Sequence, residues 1–118
     1  MDLITDEIFL NVPLNERGYQ ERVNDEPEWP NVFTIESKDS EYMTLYWVYS
    51  EWSDAFDLWI DLREEEILPV EHLDEALKIL ERHMSKHKDD AEFTAAGNKL
   101  KEALLKAIEV QMPLFLDF

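Results

Sequence analysis

The sequence contains no cysteine among its 118 residues. Without thiols, neither a disulfide framework nor a cysteine-ligated zinc site can form. Gly18 and Gly97 are its two glycines, so it has no glycine-rich loop of the kind that cradles a phosphate. Its serines and threonines lack the nucleophile motif of a serine hydrolase. From these absences we expect no enzyme activity and no cofactor.

Long apolar runs are also missing from the sequence. No stretch approaches the roughly 20 apolar residues that a membrane-spanning helix needs. The first residues, MDLITDEIFL, have neither the basic start nor the apolar centre of a signal peptide. We therefore expect a cytoplasmic protein of bacterial type with no membrane contact.

Basic residues are scarce, since 11 lysines and arginines stand against 28 acids and give a net charge of −17. The imbalance is concentrated at the start, with 18 acids and 4 bases in residues 1–66 but 10 acids and 7 bases in residues 67–118. Such a field repels nucleic acid and attracts cationic surfaces. Acidity also keeps small proteins in solution, but solubility does not explain the asymmetry. We expect a basic protein as partner and no direct binding of nucleic acid.

The remaining composition is that of a folded protein. The chain is 45% hydrophobic and 12% aromatic, which is too apolar for a disordered segment, and its length suits one domain. The patterns divide residues 1–118 into an acidic, β-rich half (1–66) and a helical half (67–118) with an apolar C-terminal tail.

The N-terminal patterns predict two strands. Residues 3–12 alternate in a way that favours a strand, although a short helix also fits. Prolines and Gly18 make residues 13–31 a connection, which we expect to contain a short helix near residues 15–23. Residues 32–37 predict a second strand, followed by a turn at residues 38–40. Trp29 is interpreted as a lid over the core, with an exposed anchor as the alternative.

The most aromatic stretch, residues 41–66, predicts a β-hairpin. Its strands are placed at residues 42–49 and 55–62, with a turn between them. On the second strand Asp57, Trp59 and Asp61 would point outward, opposite an apolar face. The two aspartates would then lie about 13 Å apart. This is too far for a glycosidase pair, whose carboxylates are about 5–9.5 Å apart.

The second half predicts a helical hairpin. Apolar residues from Val70 to Met84 recur at spacings of three and four, after a proline suited to a helix start. A second helix begins at Asp89 or Asp90 and ends before Pro113. Gly97 would let the two helices approach closely. The tail, residues 113–118, is expected to pack as an edge strand or to plug the core.

Two sequence features suggest cation sites, but neither has the full pattern of one. His83 and His87 lie one helical turn apart, which suits a metal pair, but lysines flank them. We interpret them as the polar edge of the helix. The acidic runs lack the spacing and glycine of a calcium loop. We expect no metal site.

Strands followed by helices predict an α+β fold, with an antiparallel sheet of about four strands and a C-terminal antiparallel helical hairpin. Such a sheet leaves one face wet, and there we place the functional surface. Aromatic side chains dominate binding hot spots, and carboxylates would pair with basic groups of a partner. The candidate partner-binding residues are Asp25, Glu26, Glu28, Tyr46, Trp52, Asp54, Asp57, Trp59, Asp61, Glu64, Glu65 and Glu66.

Through the acids of Asp25–Glu28, Asp54–Asp61 and Glu64–Glu66, the chain resembles the small acidic bacterial and phage proteins called DNA mimics. The resemblance covers size and chemistry, since those proteins share no fold or motif. It implies a non-catalytic inhibitor that masks the nucleic-acid-binding surface of a basic protein. An immunity protein that neutralises a cognate toxin, often a nuclease, is the alternative. A third interpretation is an adaptor or structural protein with incidental acidity. Monomer and homodimer both remain open.

Overall fold

The computed structural model describes residues 7–118, which form an α+β fold, as predicted. The strands are β1 (Glu7–Pro13), β2 (Val32–Lys38), β3 (Glu65–Leu68) and β4 (Leu114–Asp117). The helices are α1 (Glu16–Val23), α2 (Asp39–Thr44), α3 (Tyr46–Phe56), α4 (Leu73–Lys86) and α5 (Ala91–Val110), and a 3₁₀ turn (Val70–His72) precedes α4.

The four strands form one antiparallel sheet in the order β2-β1-β4-β3. The C-terminal tail is therefore a central strand, and the edge position expected for it is wrong. Phe115 pairs with Asn11 of β1 on one side and with Ile67 of β3 on the other. A run of apolar residues suits a strand that is covered on both faces. Strand β3 was not predicted.

The two faces of the sheet have different neighbours. On one face, Ile8, Leu10 and Val12 of β1 are buried with the leucines of β3 and β4 beneath the helices. The opposite face, here called the open face, carries Phe9, Asn11 and Asp117 and is partly covered by α1. The Tyr19 ring of α1 lies 5.9 Å from the ring of Phe115 of β4, and Phe115 is buried where α1 covers the sheet.

The predicted helical hairpin is confirmed as α4 and α5. The Asp90 carboxylate accepts the backbone N–H of Phe93 at 3.1 Å and so caps α5. Gly97 lies against the side chain of Met84, where an added Cβ would sit 3.0 Å from the sulfur. Gly97 therefore allows the close approach that was expected of it.

The predicted hairpin over residues 42–49 and 55–62 is wrong. Helices α2 and α3 occupy residues 39–56, so the expected turn at residues 50–54 lies inside α3, and the turn expected at residues 38–40 is where α2 begins. The buried side chains recur at helical spacings of three and four, as Tyr42, Leu45, Tyr49 and Trp52 show. The N-terminal half is therefore acidic but not β-rich.

The other N-terminal predictions fare better. The first strand is confirmed over Glu7–Pro13, while residues 3–6 of the prediction lie outside the described part of the chain. The short helix is confirmed as α1, which Asn15 caps by accepting the Gly18 N–H at 2.9 Å. The second strand is confirmed as β2.

Between Glu7 and Phe118, no helix has the length and apolar character needed to cross a membrane.

Candidate functional site

The candidate site is built around the acidic loop, defined as residues 57–64 between α3 and β3. Asp57 ends α3 in the left-handed conformation, with φ of 56°. Aspartate is one of the few non-glycine residues enriched there. Beyond it, the side chains alternate as the sequence predicts, but in a loop instead of a strand. Leu58, Ile60 and Leu62 are buried or half-buried, whereas Asp57, Trp59 and Asp61 are exposed.

Backbone hydrogen bonds hold the acidic loop in place. The Trp59 N–H donates to the Glu66 carboxylate at 2.8 Å, and the Arg63 N–H donates to the Phe118 carbonyl at 3.0 Å. Ile60 is 8% exposed and fixes the centre of the loop to the core. The Trp59 side chain is therefore presented from an ordered backbone, although 71% of it is exposed.

A shallow groove of about 270 Å³ runs beside Trp59 and is here called the Trp59 groove. Its far wall is Tyr46, which is 41% exposed. Aromatic rings next to carboxylates can pack against the stem of a basic side chain and bind its charged end. The lining residues are Tyr42, Tyr46, Ser50, Ser53, Asp54, Leu58, Trp59, Ile60 and Asp61.

Asp61 is held at the groove by a buried tyrosine. The Tyr42 hydroxyl donates to the Asp61 carboxylate at 3.3 Å, and the Leu62 N–H donates to the same oxygen at 2.8 Å. Burial, reinforced by the nearby charge of Asp61, raises the pKa of Tyr42 to about 12. The hydroxyl therefore remains protonated and able to donate at neutral pH.

Within residues 7–118, no cation pairs with the carboxylates of the acidic loop or with that of Asp54. All three arginines in residues 1–66 are engaged elsewhere: Arg17 by Glu26, Arg22 by Asp117 and Arg63 by Asp39. Asp54, Asp57 and Glu64 are exposed, and their carboxylates have no ion-pair or hydrogen-bond partner within residues 7–118. The negative potential of the acidic loop is therefore directed at solvent.

A second concavity, here called the open-face cleft, lies between α1 and the open face of the sheet. Its volume is about 550 Å³, which is within the range of small-ligand sites. It is lined by Phe9, Asn11, Arg22, Val23, Asp25, Trp29, Thr34, Glu65 and Asp117.

The floor of the open-face cleft is a connected polar network. Arg22 donates to both oxygens of Asp117, with Nε at 3.0 Å, and this hydrogen-bonded pairing raises the pKa of Arg22. The Asn11 amide also donates to Asp117, and the Thr34 hydroxyl donates to Asn11 at 2.6 Å. Asn11 is 2% exposed, so these bonds compensate for the loss of its hydration.

Two acidic runs that are distant in the sequence meet at this cleft. Asp25 follows α1 and Glu65 begins β3, and both carboxylates line the opening. Glu65 lies 3.5 Å from Arg22. The neighbouring candidates do not join them: Glu26 is paired with Arg17 at 2.7 Å, and Glu28 is exposed outside the cleft. Trp29 lines this cleft and is not a lid over the helix-covered core.

Trp52 is a wrong prediction for a partner-binding residue. Its side chain is fully buried, and its indole N–H donates to the Ala76 carbonyl of α4 at 3.1 Å. Trp47, which was not a candidate, is 70% exposed, and its ring lies 5.0 Å from that of Tyr46. Helical spacing in residues 42–52 is the signal that separates the buried tryptophan from the exposed one.

Sequence reasoning also missed Asn11, Arg22 and Asp117. One signal was available, since Asp117 is the only charged residue in the apolar tail PLFLDF. A charge in such a strand needs a partner. Which residue that partner is could not be inferred, because Arg22 is 95 positions away.

His83 of α4 and His87, which follows the helix, have ordinary contacts. His83 bonds to Glu51 of α3 at 2.8 Å, and the ring of His87 stacks on that of Phe93 at 4.4 Å. No group of three or more metal-ligating side chains occurs in residues 7–118.

No family model, curated protein or solved structure matches this chain. Its function therefore has to be inferred from the acidic loop, the two concavities and the charge.

Proposed function

We propose that this chain is a non-catalytic acidic protein that acts as a DNA mimic and occupies the basic, nucleic-acid-binding surface of a protein partner. The observation that carries the proposal is the exposed Trp59 among the uncompensated carboxylates of Asp54, Asp57 and Glu64. A surface that binds phosphates with lysine and arginine would be attracted to these carboxylates for the same reason.

The charge and the aromatic side chain have separate roles in this mechanism. Uncompensated carboxylates repel one another in the free protein, and a cationic partner relieves that repulsion while speeding encounter. Trp59 supplies apolar area at small entropic cost and slows dissociation. The order of the acidic loop reduces the entropy lost on binding.

The proposal is tested with the triple variant Asp57→Lys, Trp59→Ala, Asp61→Lys. The parent and the variant are immobilised, proteins are captured from a host lysate and eluted with a salt gradient, and the captured protein's affinity for DNA is measured with the chain as competitor. We expect the parent to retain a basic nucleic-acid-binding protein and to displace it from DNA. The triple variant should bind at least about tenfold more weakly, since a hot-spot aromatic and two charges are lost.

A charge-matched control uses Glu102→Lys and Glu109→Lys, two exposed positions on α5 far from the acidic loop in the sequence. This control changes the net charge as much as Asp57→Lys and Asp61→Lys and should bind almost like the parent. The three altered side chains are exposed, but Asp61 also accepts the Tyr42 hydroxyl, so urea denaturation is used to verify that the triple variant is folded before binding is compared. Equal binding by parent and triple variant would reject the proposed surface.

An immunity protein for a nuclease-type toxin is the second candidate function. The observation that favours it is the exposure of two large aromatics, Trp47 and Trp59, at 70% and 71%. Trp59 lies in the acidic loop of the proposed decoy surface, but Trp47 lies outside that loop, and a single-partner inhibitor obtains its affinity from several such anchors. The salt gradient separates these two functions, since packing-driven binding survives high salt and charge-driven binding does not.

A third function, an adaptor with incidental acidity, predicts that the chain binds its partner unchanged after Asp57→Lys and Asp61→Lys.

A further inference from the structure

We infer that the open-face cleft binds the guanidinium group of an arginine presented by the partner protein. This inference rests on the proposed function and gives the partner's chemistry at a second position. It also gives a reason why Asp25 and Glu65, which come from two acidic runs distant in the sequence, line the same concavity.

The charge balance of the cleft favours a cation. Arg22 is the one base among the lining residues in the described part of the chain, and its guanidinium bonds Asp117 and lies 3.5 Å from Glu65. With Arg22 against the carboxylates of Asp25, Glu65 and Asp117, these lining residues carry a net charge of −2. This negative balance repels an anion and attracts a cation.

The cleft already contains one arginine bound in the proposed manner. The Arg22 guanidinium is held by two hydrogen bonds to a carboxylate and lies over the rings of Phe115 and Trp29, at 4.9 Å and 5.7 Å from their centroids. A planar guanidinium matches an aromatic face and a carboxylate fork, which a lysine ammonium does not. Phe9, Trp29, Asp25 and Glu65 offer the same combination of groups to an incoming side chain.

The size of the cleft is compatible with this occupant. A volume of about 550 Å³ exceeds that of an arginine side chain, so the guanidinium could enter with part of its hydration shell. The indole N–H of Trp29 donates to the Glu26 carbonyl at 2.8 Å, which fixes the ring as a wall and provides a spectroscopic reporter.

The test uses capped arginine, N-acetyl-arginine methylamide, and the uncharged analogue of the same shape, N-acetyl-citrulline methylamide. Each is titrated into the full chain while the indole N–H signal of Trp29 is followed by NMR, with Trp29→Phe to assign it. We expect saturable binding of the arginine compound in roughly the millimolar range and none of the citrulline compound. Asp25→Asn and Glu65→Gln should each weaken binding about threefold.

Glu28→Gln is the matched control, because Glu28 is exposed in the same run as Asp25 but does not line the cleft. It should leave the affinity unchanged. Equal shifts with both compounds, or unchanged affinity in the Asp25→Asn, Glu65→Gln double variant, would overturn the inference. None of the residues altered in the capture experiment lines the cleft. The two experiments therefore distinguish a failure of this inference from a failure of the proposed function.

Discussion

Gly18 and Gly97 both lie in helices, but an added methyl group would meet different neighbours. At Gly18, a Cβ would lie 2.0 Å from the backbone carbonyl oxygen of Asn31, which is fixed by the chain. At Gly97, it would lie 3.0 Å from the flexible side chain of Met84. Alanine gains about 1 kcal/mol of helix propensity at either position.

We therefore expect Gly18→Ala to lower the free energy of unfolding by about 2 kcal/mol or more, because the clash outweighs the gain in propensity. Gly97→Ala should change it by less than about 1 kcal/mol. Urea denaturation of both variants measures the difference. Similar values for the two would show that α1 can move away from Asn31 at little cost.

Tyr42 makes stability depend on alkaline pH. Its pKa in the folded protein is raised to about 12 from an ordinary value of 10.0, chiefly by burial. The folded protein therefore holds this proton where the unfolded chain releases it. The resulting stabilisation is complete below pH 10 and is lost as the pH rises from 10 to 12.

The corresponding variant is Tyr42→Phe, which keeps the ring and removes the titrating hydroxyl. Its free energy of unfolding should fall less steeply than that of the parent over the same alkaline range. Urea denaturation at successive pH values provides the comparison. Parallel curves would mean that the Tyr42 hydroxyl is open to solvent. Burial also raises the pKa of Tyr49, so part of the alkaline loss should persist in the variant.

At the level of elements, the central position of β4 predicts unequal effects for similar truncations. Leu116 is fully buried in β4 and lies between Leu10 and Glu66, whereas Ile67 of the edge strand β3 is 38% exposed. Leu116→Ala should lower the free energy of unfolding by about 2–5 kcal/mol. Ile67→Ala should cost about 1 kcal/mol, since much of that side chain already contacts water.

Urea denaturation of the two variants checks this prediction, and the m-value shows whether unfolding remains cooperative. Comparable losses would indicate that the tail is no more important to the sheet than its edge. That result would contradict the central position of β4 in the sheet.

Local sequence signals predicted most helices and strands, but they could not predict which distant strands pair. α1, α4 and α5 follow from a cap, a proline and apolar spacing that are each readable within a few residues. The prediction for residues 42–56 was wrong because tyrosine, tryptophan and valine favour a strand. The buried side chains Tyr42, Leu45, Tyr49 and Trp52 are instead spaced as on one face of a helix. The exposure of Asp57, Trp59 and Asp61 was predicted by alternation alone, without the correct element.

At the scale of the whole molecule, the sequence contains the charge asymmetry and predicts the fold class. It does not predict which residues lie together on the surface. The α+β fold follows from the presence of both strand and helix patterns. The sheet order depends on which distant segments pair, and no local pattern specifies that β4 lies between β1 and β3. The open-face cleft was unpredictable for the same reason, since its described walls come from all four strands and from the segment of α1 and the loop that follows it.

The two concavities lie on either side of β3 and give the proposed partner a geometric requirement. Glu65 faces the open-face cleft, while its neighbour Glu66 bonds the backbone of Trp59 on the other side of the strand. A partner that engages both must present basic groups around an edge, as a groove that encloses a duplex does. A flat basic patch would engage one concavity at a time.

The pairing of β1 with β4 also has a consequence for the order of folding. Asn11 and Asp117 touch although 106 positions separate them, whereas α4 and α5 are neighbours in the chain. Contacts between neighbours form quickly, and a contact across most of the sequence forms late. We therefore expect a folding intermediate in which α4 and α5 are formed but β4 has not yet paired with β1. During that interval the apolar segment LFLDF is exposed to other unfolded chains, so refolding yield should decline as protein concentration rises.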